Sequence, residues 1–275
     1  MGGWNPMPTS DLFAAALSCL RATDPEQKFV LSRQTAADYR AGKLTANGND
    51  QNVESILTPG RPPRPLLIEP RKLAQRGLGS AEGRAALVHA IAHIEFNAIN
   101  LAWDAVYRFR GMPEAFYADW VGVADDEARH FRLLSDRLAE LDHGYGDFDA
   151  HNGLWEMAIV TAGSCLQRMA LVPRVLEARG LDVTPGMIRR LRGVGDDATA
   201  DILEIILREE VAHVAVGSRW FAWCCAQSGV ESEATFAELL ETHMHGSLRG
   251  PFNIEARLNA GFSDAELAHI GTLAT

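Results

Sequence analysis

The 275-residue chain has little cysteine: four in all, two of them adjacent, and no Cys-x-x-Cys pair. That argues against a disulfide framework and against a thiolate metal site, and it leaves Cys19, Cys165, Cys224 and Cys225 as reduced, buried thiols. The first residues lack a basic segment followed by an apolar one, and no run of about 18 apolar residues occurs, so a soluble cytoplasmic protein with no membrane partner is expected. Alternating strand patterns are also missing, which leaves an all-α fold. Positive charge is scarce beyond residue 80: residues 1–80 carry 10 basic and 7 acidic side chains, and residues 81–275 carry 16 and 29. An acidic body of this kind does not favour strong binding to a nucleic-acid backbone, although a local basic arm can contribute.

What the chain does have is helical periodicity. A short amphipathic helix is predicted over 10–21, with Ser10 and Asp11 as its cap signal and Leu12, Phe13, Ala16, Leu17 and Leu20 at helical spacing. After Arg21 the pattern dissolves. From 41 to 80 the chain is rich in Gly, Asn, Pro and Arg, and Pro59-Gly60-Arg61-Pro62-Pro63-Arg64-Pro65 suits neither a helix interior nor a central strand. This stretch reads as an arm lying over a helical body, with Leu66, Leu67 and Ile68 seeking burial. Long helices are predicted at 81–109, 114–140, 153–179 and 197–228, the third kinked at Pro173. Gly180 and the Thr184-Pro185-Gly186 turn then break the chain before a short piece near 187–192. A helix over 233–244 and another opened by the capping box Ser263-Asp264-Ala265-Glu266 complete the chain. The expected organisation is an N-terminal helix and arm over 1–80, a four-helix bundle over 81–228 and a C-terminal helical extension over 229–275.

Within the long helices the chemistry-bearing residues repeat. Glu127-Ala128-Arg129-His130 and Glu210-Val211-Ala212-His213 each place a carboxylate and an imidazole on one helix face. Glu95 precedes the first motif by 32 residues and Glu177 the second by 33, so the two sets recur at offsets of 82 and 83. That interval corresponds to one helix, a short turn and half a helix back, which brings two groups to one level of an antiparallel hairpin. Glu-x-x-His alone is a weak signal, because Glu140 with His143 and Glu266 with His269 also match. Those two pairs fall at a Gly-rich loop and in a capping box. The favoured pairs instead have apolar neighbours one turn away. Burying four carboxylates without compensation costs several kcal/mol apiece. A pair of metal ions removes that cost; a buried ionic network is the competing reading. Carboxylates with imidazoles suit iron or manganese.

With these residues in place the chain resembles the ferritin-like di-iron carboxylate superfamily. More narrowly it is similar to the family known as DUF455, through His93-Ile94-Glu95, Asp126 to Phe131, Gly153 to Met157, the run from Arg168 to Pro185, Glu209 to His213, and Arg249-Gly250-Pro251-Phe252-Asn253. The resemblance spans nearly the whole chain. It implies a ferritin-like four-helix bundle and two iron ions, with manganese or a mixed pair as variants. Glu127 and Glu210 would bridge the ions, and Glu95, Glu177, His130 and His213 would be the terminal ligands. It implies an O2-dependent oxidoreductase or hydroxylase that acts on a small molecule or modified nucleoside and draws on an external electron donor. Within the superfamily, the tRNA hydroxylase acting on an isopentenyl-adenosine side chain is the first relationship to consider. A non-catalytic metal-binding or partner-binding helical protein is the rival from another class. A rubrerythrin-type module is disfavoured by the missing Cys-x-x-Cys, and a ribonucleotide-reductase subunit by Leu134 at the position of its radical tyrosine. Around the six ligands, His89 and His93 read as packed or supporting histidines. Asp126 and Glu209 read as residues that orient ligand histidines, and Trp220, Phe221 and Trp223 as packing. His243, His245 and Arg249 stand between an entrance and the surface.

Overall fold

The computed structural model describes residues 11–46, 53–244, 246 and 248–273. Among them the regular structure is all helical, and β pairing is limited to two isolated bridges. The helices are α1 (Leu12–Arg21), α2 (Pro25–Arg40), α3 (Ala81–Arg108), α4 (Glu114–Glu140), α5 (Gly153–Val160), α6 (Cys165–Leu171), α7 (Ala178–Gly193), α8 (Asp197–Ser228), α9 (Ser232–His243), α10 (Ile254–Asn259) and α11 (Asp264–Leu273). A π-helical turn, Val172–Glu177, joins α6 to α7. The chain divides into two compact units, one of Met1–Ala74 with Val88–Trp155 and one of Gln75–Leu87 with Glu156–Thr275.

In the first unit α1 begins where predicted: the Asp11 carboxylate accepts the Phe13 N–H at 2.8 Å, while Ser10 lies outside the described residues. The helix α2 was not legible as an apolar pattern, because its buried face is made of Lys28, Ser32, Thr35 and Ala36. Its start is nonetheless well formed, with Asp24 accepting from Gln27 N and Pro25 in the first turn. Hydrogen bonds replace hydrophobic contact along that face. Lys28 Nζ donates to Cys19 O (2.6 Å), Leu20 O (3.2 Å) and Asn100 Oδ1 (2.7 Å), placing an ammonium at the negative end of α1. Trp103 Nε1 donates to Ser32 Oγ at 2.9 Å.

The arm is held by its backbone. Gly60 N–H donates to Leu20 O at 2.7 Å, and a Cβ on Gly60 would sit 2.3 Å from Arg21 O, so only glycine fits. Ala150 N donates to Leu66 O and Ile68 N to Ala150 O, at 3.0 and 2.9 Å. Leu66 itself is 50% exposed, contrary to its expected burial; the segment is recruited through its peptide groups, and Pro65 is the buried side chain. The helix α3 contains an 18-residue window of mean hydropathy 1.2, of which 78% is buried inside the fold, which marks it as a core helix.

In the second unit the single helix expected over 153–179 is broken. Residues 161–164 interrupt it, and buried Arg168 closes the gap by donating from Nε to Thr161 Oγ1 (2.7 Å) and from Nη2 to Ala158 O (2.6 Å). Ser164 caps α6 by accepting from Gln167 N at 3.2 Å. Pro173, expected as a kink, lies in the π turn, whose last bond runs from Ala178 N–H to Pro173 O. The break expected at Gly180 and Pro185 does not occur: α7 runs through both, with Leu181, Asp182, Thr184 and Leu191 on its buried face. Asp182 anchors that face, accepting from Arg257 Nε (3.0 Å) and Nη2 (2.8 Å) and from Asn253 N (2.9 Å). Asn253 also caps α10, a short helix absent from the prediction. The helix α8 has the predicted limits and stops at Gly229, whose φ of 67° favours glycine. At α11 the predicted capping box is present, Ser263 N donating to Glu266 Oε2 (2.9 Å) and Glu266 N to Ser263 Oγ (3.2 Å).

Candidate metal centre

The first unit brings three of the six predicted ligands together. Glu95 projects from the apolar face of α3, and Glu127 and His130, one turn apart on α4, share one face of that helix. All three are buried, at 4%, 1% and 0% exposure. His130 Nδ1 lies 3.3 Å from Glu127 Oε2 and 3.4 Å from Glu95 Oε2, so one nitrogen addresses both carboxylates. Burial raises the Glu95 pKa well above its ordinary value, and the Glu127 charge pushes it further in the same direction. For His130 burial opposes the imidazolium, but hydrogen bonds to Glu127 and Glu95 override it and lift the pKa to about 11. Two carboxylates and an imidazole therefore hold a proton among them where a divalent cation would serve the same electrostatic purpose.

The second unit carries a matching set. On α8, Glu210 Oε1 is 3.4 Å from His213 Nδ1, again one turn apart, with His213 buried. Glu177 ends the π turn, with one carboxylate oxygen, Oε2, buried. By donor type and burial, Glu127, His130, Glu210 and His213 are Glu and His side chains that could hold a metal ion. Oxygen and imidazole donors of this kind suit a divalent metal ion, so the residues present are compatible with metal binding.

The other two Glu-x-x-His matches stand in different surroundings. Glu140 is exposed and pairs with Arg137 at 2.7 Å, and His143 lies 3.4 Å from Asp147 in the following loop. His269 is 3.7 Å from exposed Glu241, while Glu266 serves the capping box and a buried ion pair with Arg174. Asp126 is half-exposed and lies 3.3 Å from Arg129. Trp220 and Trp223 pack edge to face at 5.8 Å, and Phe221 lies 5.8 Å from Phe236. Arg249 is exposed, its carbonyl accepting from Arg179 Nη1 at 2.6 Å; His243 is half-buried, and His245 lies outside the described residues. Arg174 escaped the sequence reading: its only signal is a lone arginine inside the apolar run Leu171-Val172-Pro173-Arg174-Val175-Leu176.

His89 and His93 are packed, neutral histidines. His93 Nε2 lies 3.0 Å from both the His151 carbonyl and Asn97 Nδ2, and Nδ1 lies 2.9 Å from the Tyr145 hydroxyl. His89 Nε2 accepts the Gly146 N–H at 2.9 Å, and its ring stacks on Tyr145 at 5.4 Å. Burial lowers both pKa values to about 4, against an ordinary 6.5. Because the folded pKa lies below the unfolded one, the unfolded chain takes up these protons first as the pH falls. Stability is then fully present above pH 6.5 and declines towards pH 4, by on the order of a few kcal/mol for the two groups together. Between pH 7.5 and 5 the urea stability of the wild type relative to the His89→Gln/His93→Gln double variant should fall with this slope; a difference that does not change with pH would assign the acid sensitivity to other groups.

Among known proteins the chain matches the family model described as a protein of unknown function, DUF455, over residues 21–268. It is similar to an uncharacterized protein of Haemophilus influenzae, 46% identical over 213 residues that cover 75% of this chain and 74% of the relative. No solved structure matches it. A family match across most of the length and a close relative over three quarters of it lead to one conclusion: the chain belongs to the DUF455 family of proteins of unknown function.

Proposed function

We propose that the two Glu and His sets together form one dinuclear metal centre, of the ferritin-like di-iron kind, in an O2-dependent oxidoreductase. The observation that carries this reading is the duplication itself. Each unit presents a one-turn Glu–His pair on a long helix, with 3.3 and 3.4 Å between partners, and each supplies a further carboxylate, Glu95 or Glu177, at the same sequence interval. In ferritin-like carboxylate proteins that donor set binds two cations between four helices. In this reading Glu127, Glu210, Glu95, Glu177, His130 and His213 would hold the two ions between them.

A pair of reduced iron ions, when bound, supplies electrons and open coordination positions for reaction with O2. The chain's own contribution is to collect negative charge where water is scarce. Glu95, Glu127 and His130 are nearly inaccessible, so a cation among them is poorly screened and strongly held. The substrate class that the reading favours is a small molecule or a modified nucleoside. A tRNA substrate would require the few basic side chains of the N-terminal region to supply phosphate contacts, and its binding would then depend steeply on salt.

Stripping the protein with a chelator, reloading it anaerobically with Fe(II) and admitting O2 tests the proposal. Uptake approaching two ions per chain, oxygen consumption and a new visible absorption band are the expected outcome. Metal uptake without oxygen consumption would leave a metal-binding protein that is not an oxidoreductase. No uptake at all would overturn the metal reading.

A further inference from the structure

We infer that the buried ion pair between Arg174 and Glu266 clamps the π-helical turn Val172–Glu177 and thereby positions the Glu177 carboxylate for metal binding. The inference rests on the metal-centre reading proposed above. All its parts lie in the second unit. Arg174 Nη2 donates to Glu266 Oε2 at 2.6 Å and Nε donates to Ser218 Oγ on α8 at 3.2 Å. The guanidinium carbon lies over three rings, 4.8 Å from the centroid of Phe221, 4.1 Å from Phe236 and 4.5 Å from Phe262. Arg174 is 1% exposed and Glu266 7%. Glu266 is itself fixed at the start of α11, because the oxygen that receives Arg174 also accepts the Ser263 N–H at 2.9 Å.

The position of the pair matters more than its strength. A buried ion pair is a weak source of stability, since desolvating both charges offsets most of their attraction, and apolar residues of similar size would tie α11 to the core as well. What the pair provides is a fixed direction. It holds the third residue of a π turn, an element that is rare and that concentrates at functional sites. Next to it, Pro173 is pressed onto α8 so closely that a Cβ on Gly217 would meet Pro173 Cγ at 2.4 Å. Two consecutive residues are thus pinned to α8, three and four positions before Glu177. Gly217 and Ser218 follow His213 by about one turn on the same helix, so Glu177 and the Glu210–His213 pair are set from a common support.

The test uses the full chain and Co(II) as a spectroscopic probe. Glu266→Gln keeps the side-chain shape and an acceptor for Ser263 while removing the charge, and Arg174→Lys keeps the charge while removing the fork. Both should weaken Co(II) binding in chelator competition by about tenfold or more, the range typical of residues that orient a metal ligand. Both should also change the visible Co(II) spectrum. Asp196→Ala is the stability control: it removes the α8 cap, where Asp196 accepts from Thr199 N at 3.1 Å and from Thr199 Oγ1 at 2.9 Å, and should leave affinity and spectrum as in the wild type. If Arg174→Lys does not fold, Glu266→Gln decides alone. Wild-type Co(II) affinity and spectrum in Glu266→Gln would overturn the clamp and leave the metal centre standing. A wild-type chain that takes up no Co(II) would overturn both.

Discussion

Metal retained after stripping and reloading falls to near background in Glu177→Ala and His213→Ala, and it stays at the wild-type level in Glu140→Ala and His269→Ala. This is the largest functional effect expected of single substitutions here, and it discriminates because all four residues belong to the same four-residue pattern or its upstream partner. The difference lies in surroundings. His213 is buried and faces Glu210 at 3.4 Å, and one Glu177 oxygen is enclosed at the end of the π turn. Glu140 is 62% exposed in its side chain and paired with Arg137, and His269 is 29% exposed. A ligand removed from an enclosed donor set leaves an open position and an unbalanced charge, whereas Glu140 is solvated and the buried His269 Nε2 stands 3.7 Å from the exposed Glu241 carboxylate, outside any such set. Metal analysis of the four variants, with circular dichroism to check folding, gives the answer. Equal metal in all four would remove the basis for choosing among the motif matches.

Asp182→Ala should destabilise the protein by about 3–5 kcal/mol, the largest effect on stability expected of a single substitution, because it strands a buried charge. Arg257 donates two hydrogen bonds to Asp182, and the two side chains are 3% and 0% exposed. Without the carboxylate the guanidinium keeps its rings, Phe252 at 5.3 Å and Phe262 at 5.1 Å, but loses its counter-charge. The Asn253 N–H loses its acceptor as well. Replacing both partners, as Asp182→Leu with Arg257→Met, should restore most of the stability, since an apolar pair of similar volume avoids the desolvation cost. Urea unfolding of the single and double variants measures this. A double variant as unstable as the single would show that Asp182 acts through Asn253 and not through Arg257.

Several elements were legible in the sequence for a simple reason. The long helices α4 and α8 carry one apolar stripe each, start beside Pro113 and Asp196, and stop near a turn residue, so periodicity and end signals agree. The α11 capping box is a four-residue code for its own geometry and was read correctly. The duplicated Glu and Glu–His pattern was visible because both the one-turn motif spacing and the hairpin interval are local properties of helices.

Tertiary structure decided the rest. The helix α2 was invisible because its buried side is polar, and Lys28 and Ser32 are acceptable there only because Asn100 and Trp103 on α3 meet them. The arm was expected to bury Leu66, Leu67 and Ile68, yet Leu66 is exposed and the other two only half-buried, and no residue pattern encodes the backbone bonds to Ala150 that hold it. Pro185 was read as a breaker, but α7 tolerates it, as the packing of Leu181, Asp182 and Leu191 outweighs one missing N–H. The π turn was beyond local reasoning too, since Gly217 and Pro173 are 44 residues apart and the clamp partner Glu266 lies 92 residues from Arg174. Sequence by itself therefore determined the all-α class, the long helices α3, α4 and α8 and the one-turn Glu–His spacing, because these follow from spacing along one helix. Which carboxylates are enclosed, and which residues pack against the π turn, were settled by contacts between residues far apart in the chain, where burial and desolvation act.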